Sequence, residues 1–153
     1  MNELTQSQIN QLLSDAIVER IEQMEVAMLE CDQVEIPVTS LFTNGMYARE
    51  ITIPKGTLLT GRVHLFDYVD IMLSGDITVA TPEGAKRFTG ANVFQGVSGR
   101  KRAGYAHEDT RWVTVHRTDV LDAQEFVNKL TVQTMKQFNN LLEASTCQLS
   151  QPQ

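Results

Sequence analysis

The chain has 153 residues, 42% of them hydrophobic and 21% charged, which suits one globular domain with a core of its own. A formal net charge of −6 argues against a nucleic-acid binder, and no run reaches the ~18 apolar residues that a membrane span needs. Cys31 and Cys147 stand far apart and outside any Cys-x-x-Cys pair, so reduced thiols are expected rather than a disulfide framework, a zinc knuckle or a redox motif.

Met1 to Gln6 lacks the basic-then-apolar order of a secretion signal. Residues 1–33 read as an amphipathic helical segment, with the helix itself from about Thr5 to Glu30. Ile9, Leu12, Leu13, Ala16, Ile17, Ile21, Met24 and Met28 recur at three- and four-residue steps and make one apolar stripe, away from Glu19, Glu22 and Glu25. That stripe packs either on its own domain or on a partner subunit, since a small barrel has little free surface for a long helix.

Residues 34–120 switch to short runs of period two. Asn44-Gly45 signals a hairpin with a type I′ turn, and Tyr47, Arg49, Ile51 and Ile53 then alternate with Ala48, Glu50 and Thr52. Turns are expected at Pro54-Lys55-Gly56, Ser74-Gly75-Asp76, Pro82-Glu83-Gly84 and Gly96 to Gly99. Between them lie strand candidates from Thr57 to Leu65, Val69 to Leu73, Ile77 to Ala80, Lys86 to Thr89, Asn92 to Gln95, Arg102 to Ala106 and Arg111 to His116. Residues 121–144 read as one C-terminal helix, capped by Asp122 with Glu125 three residues on, and residues 145–153 as a flexible polar tail. The fold class expected is an all-β core, a barrel or jelly roll, flanked by an N-terminal and a C-terminal helix.

Gly56 to Gly75 resembles the first sequence motif of the cupin superfamily. That motif runs Gly, five residues, His, one residue, His, three or four residues, Glu, six residues, Gly. Here the same spacing carries Arg62, His64 and Tyr68 at the three ligand positions. Gly99 with Arg102 resembles the second motif, with Val97 in place of its Pro and Ala106 in place of its Asn. The resemblance covers about residues 37–117 and implies a cupin-type jelly roll. The wording Thr60-Gly61-Arg62-Val63-His64, together with Arg102 to Thr110, is also similar to small cupin-like proteins of tailed bacteriophages. That implies a viral protein in the host cytoplasm or in the virion.

Cupin metals such as Fe, Mn, Zn or Ni need imidazole and carboxylate lone pairs, which a guanidinium lacks. Tyr68 can ligate only as a phenolate. The usual metal site is therefore expected to be absent, leaving one alternative set, His64, His107 and His116, on different strands. Joining His107 to that set needs a bulge, for which Gly104 is the candidate, because His107 and Arg102 have opposite strand parity.

Arg62 and His64 share parity and face the barrel interior if the motif aligns as spaced. A ligand site of Arg62, His64, Tyr68, Arg102, Tyr105 and His107 then suits a phosphate or carboxylate, with Arg100 and Lys101 adjoining. The competing reading pairs the arginines with internal acids such as Asp70 or Glu50. The expected function is non-enzymatic binding of a small anion resembling a nucleotide or sugar phosphate, with sequestration of a host signalling molecule as the role the viral resemblance implies. The alternatives are a structural phage protein, oligomeric through its terminal helices or sheet edges, and a metal-dependent isomerase or dioxygenase.

Overall fold

The computed structural model describes residues 4–149. Helix α1 (Gln6–Met28) opens on Thr5, whose hydroxyl accepts from the Gln8 backbone N–H while the Gln8 side chain answers the Thr5 N–H. Of its stripe only Ile21 is fully buried; Leu12 and Leu13 are 56% and 61% exposed, so this part does not pack on its own barrel.

What holds α1 is polar. Lys101 is completely buried, and its Nζ donates to both carboxylate oxygens of Glu25, at 3.0 and 2.9 Å, and to the Gln133 carbonyl at 2.8 Å. The Thr60 hydroxyl and the Gln133 amide also donate to Glu25 Oε1, at 2.6 and 2.7 Å. Burial alone would raise the Glu25 carboxyl, but these donors together hold it below its ordinary range.

The strands are β1 (Val38–Thr43), β2 (Met46–Ile53), β3 (Leu58–Thr60), β4 (Val63–His64), β5 (Tyr68–Thr81), β6 (Gly84–Thr89), β7 (Asn92–Gly96), β8 (Ala103–Arg117) and β9 (Thr131–Val132). Seven form one antiparallel sheet in the order β1-β2-β8-β5-β6, with β3 on β8 and β7 on β5; β4 and β9 form a separate pair. Ile53, Met72, Ile77, Ala106 and Trp112 make the core, with Phe94 stacked on Trp112 at 5.3 Å between centroids. The all-β barrel flanked by helices is as expected.

Four local expectations are corrected. The hairpin at Asn44-Gly45 forms, but only Gly45 has positive φ, so its turn is not type I′. Ser74-Gly75-Asp76 is no turn: β5 runs straight through it, and the register against β8 shifts between Met72 and Ile77. Gly75, at φ +119°, lies where a Cβ would come within 2.4 Å of the Thr110 hydroxyl, so the irregularity needs glycine. β8 runs unbroken through His107-Glu108-Asp109.

The single C-terminal helix is two, α2 (Ala123–Leu130) and α3 (Met135–Leu149), split by β9. β-Branched Thr131 and Val132 extend to pair with His64 and Val63, which the helical pattern did not anticipate. Asp122 caps α2 as expected, accepting from the Glu125 N–H at 2.8 Å, while the Glu125 side chain turns to Lys129. Residues 145–149 continue α3 instead of forming a tail; the rest of that segment, 150–153, lies outside the described residues.

Candidate functional site

A cavity of about 390 Å³ opens inside the barrel. Its wall is built by strand alternation. On β2 the residues Tyr47, Arg49, Ile51 and Ile53 face it; on β8, Trp112, Thr114 and His116 do. The antiparallel register sets these in levels: Tyr47 opposite His116, Arg49 opposite Thr114, and Ile51 opposite Trp112. Arg62 and His64 from the β3–β4 region and Arg102 before β8 join the wall, and Phe126 of α2 closes over Tyr47 and His116, with centroids 4.9 and 4.6 Å away.

His64 and His116 stack at 4.9 Å with only 11° between ring planes, and Tyr68 packs against both rings, 4.3 and 4.9 Å away. Gly96 makes room for Tyr68, since a Cβ there would lie 2.3 Å from the ring. His64 Nδ1 and His116 Nε2 are buried without a hydrogen-bond partner among the described residues. Burial, then the neighbouring His116 and the cavity arginines, lowers His64 to about 3; burial, then Arg49, lowers His116 to about 4. Both imidazoles are therefore neutral at pH 7. Tyr68 is pushed up to about 12 by burial and stays a phenol.

The three cavity arginines differ in their partners. Arg102 donates to Asp70 at 2.7 Å and to the Tyr68 hydroxyl at 2.6 Å; Asp70, fully buried, also accepts from the Trp112 indole at 2.7 Å. Arg62 donates to two neutral acceptors, Thr131 Oγ1 at 2.7 Å and Gln133 Oε1 at 2.6 Å. Arg49 makes no hydrogen bond or ion pair with any described residue, and burial lowers its pKa. Glu50, the next residue, faces the other way and pairs with Arg111.

Of the six residues expected at the ligand site, Arg62, His64 and Arg102 line the cavity. Tyr68 backs its imidazoles without lining it. Tyr105 and His107 are elsewhere: β8 keeps its parity through Gly104, so both face away, with Tyr105 43% exposed and His107 bonded to the Thr78 hydroxyl at 2.8 Å. The irregularity lies in β5, not at Gly104. The adjoining cations are also diverted, Arg100 to Glu83 and Lys101 to Glu25. Arg49 was missed as a site residue, although its sign was present: a cation on the same parity as Tyr47, Ile51 and Ile53.

The donor set does not fit a divalent metal. With His107 turned outward, the three-histidine set does not assemble, and no group of three or more His, Cys, Asp or Glu among the described residues can hold an ion. The remaining two imidazoles are stacked in nearly parallel planes, so their in-plane lone pairs do not converge, and three guanidiniums share the cavity with them.

No family model matches the chain, and no curated protein matches it. Solved structures are similar to it. Ectoine synthase from P. lautus superposes with a TM-score of 0.53 at 15% identity, over 66% of this chain and 77% of that one. KdgF from Halomonas sp. gives 0.48 at 18% identity, over 60% and 91%. The Cnp3 cupin domain of Schizosaccharomyces pombe gives 0.48 at 19%, over 67% and 77%. At such identities the likeness concerns architecture alone, and the architecture is that of a cupin-type β-barrel flanked by helices.

Proposed function

We propose that the protein binds a small organic anion inside its barrel, without chemistry on it. The observation that supports this reading is Arg49, a half-buried guanidinium facing the cavity with no acid of its own chain beside it among the described residues. A cation partly withdrawn from water is stabilised by a counter-charge, and an exogenous anion in the cavity would supply it. Arg62, bonded to neutral groups, adds to the positive potential, and the apolar wall strengthens it by excluding water. No cavity hydroxyl is bonded to an imidazole among the described residues, so a nucleophile–base pair does not compete for the assignment. In the viral setting that the sequence resemblance implies, capture of a host metabolite is the consequence of such binding.

Titration calorimetry against small carboxylates and phosphates tests the reading. Binding to the wild type, weakened at least tenfold in Arg49→Met, is the expected result. Equal affinity in Arg49→Met, or no binding of either anion class, would remove it.

A further inference from the structure

The proposed anion site also carries information about the rest of its ligand. Among the described residues, no Asp, Glu, Asn or Gln lines the cavity. Its hydroxyls are mostly committed: Thr60 donates to Glu25, Thr131 donates to the Val127 carbonyl while accepting from Arg62, and Tyr47 bonds Ser40 at 3.0 Å. Sugars and nucleobases need acceptors and paired donor–acceptor edges, and burying them without these leaves polar groups unpaired. Beyond His64 Nδ1, His116 Nε2 and the Thr114 hydroxyl, the side chains of the cavity wall provide few of them.

The register of β2 and β8 places what it does provide. Arg49 lies opposite Thr114, whose hydroxyl makes no hydrogen bond with the described residues, so a guanidinium and a hydroxyl share one level. One two-residue step along, roughly 7 Å at ~3.3 Å per residue, Ile51 lies opposite Trp112. Ile53 follows on β2, and Ile77 lines the same end. Arg102 is already neutralised by Asp70 and the Arg62 donors are bonded to Thr131 and Gln133, which leaves Arg49 as the cavity guanidinium with its donors open to a carboxylate.

We infer that the ligand is an apolar monocarboxylate, an aryl or branched-alkyl acid, with its carboxylate on Arg49 and Thr114 and its body against Ile51, Trp112 and Ile77. This rests on the anion-binding reading and replaces the sugar phosphate or nucleotide expected from sequence with a different class. The distance between the two levels sets the linker: about two carbons between carboxylate and ring, as in 3-phenylpropanoate. The cavity volume of about 390 Å³ falls in the lower part of the range for small-molecule sites, which suits a ligand of this size.

The test is calorimetry on the full chain with four probes: 3-phenylpropanoate, 4-methylpentanoate, the uncharged 3-phenylpropanamide and glucose 6-phosphate. The inference expects both acids to bind, the amide to bind at least tenfold more weakly, and glucose 6-phosphate not to bind. It also expects Arg49→Met to abolish the preference for acid over amide, and Ile51→Asn to weaken 3-phenylpropanoate at least tenfold. Circular dichroism checks that each variant keeps its fold, and Ile51→Val is the milder variant should Ile51→Asn unfold. Arg49-dependent binding of glucose 6-phosphate with none of either acid overturns the ligand class and leaves the anion site standing. An amide that binds as tightly as its acid, or no binding of any anion, overturns both.

Discussion

Lys101 and Arg49 are both drawn away from water, one fully and one in part, and the molecule treats them differently. At the seam between α1 and the barrel, the buried Lys101 ammonium meets both oxygens of Glu25 and a main-chain carbonyl. In the cavity, the Arg49 guanidinium meets no acid of its own chain among the described residues. The seam is electrostatically complete, and its role is to fix a helix whose apolar stripe is largely open. The cavity is incomplete, and a half-buried charge without its counter-charge is what a binding site for the opposite charge looks like before its ligand arrives.

Breaking the seam should have the largest effect. Lys101→Met leaves Glu25 among neutral donors without its cation, and a loss of ~3–5 kcal/mol of folding stability is expected by urea denaturation. The double variant Glu25→Leu/Lys101→Met should recover much of that loss, because no charge is left unpaired. If Lys101→Met costs nothing, the seam is not what holds α1.

Acidification sharpens the contrast from the cavity side. His64 and His116 have folded-state pKa values of about 3 and about 4, against an ordinary 6.5. Between those values the unfolded chain binds more protons than the folded one. Their contribution is therefore fully present above about pH 6.5 and declines as pH falls toward 4, by less than about 1.4 kcal/mol per pH unit for each histidine. The window from pH 6.5 to 5 isolates this effect from Glu25, whose carboxyl titrates below its ordinary 4.5. Denaturation midpoints across that window should fall for the wild type and fall less steeply in His116→Phe, which keeps only the His64 contribution; a flat wild-type profile would contradict the neutral imidazole pair.

The smallest effects belong to the outward face. Tyr105→Ala and His107→Ala should each change stability by no more than roughly 1 kcal/mol, the first through its ring contact with His107 and the second through its Thr78 bond, and leave anion affinity as it is. A loss of binding in either would return them to the site.

Much of the scaffold was legible because its signals are local. The Asp122 cap and the period-two runs each arise within a few residues of chain. The spacing from Gly56 to Gly75 also placed Arg62 and His64 on one inward face. What was not legible depends on distant partners. Met72 to Ile77 reads as two strands and a turn until Thr110 is seen pressed against Gly75. Thr131 and Val132 read as helix until Val63 and His64 offer a strand to pair with. Parity correctly separated His107 from Arg102, and the postulated bulge at Gly104 that would have joined them does not occur. Arg49 and Arg102 look alike in the sequence; only the fold shows that Asp70 serves one and not the other.

The central claim is that Arg49 is the cation left open for a ligand. A crystal structure of the protein grown with 3-phenylpropanoate tests it most directly. Density for the carboxylate within ~3 Å of the Arg49 guanidinium, with the ring beyond it toward Trp112, is the predicted result. Arg49 paired with a carboxylate of its own chain, or the acid found only on the outer surface of the barrel, would contradict it.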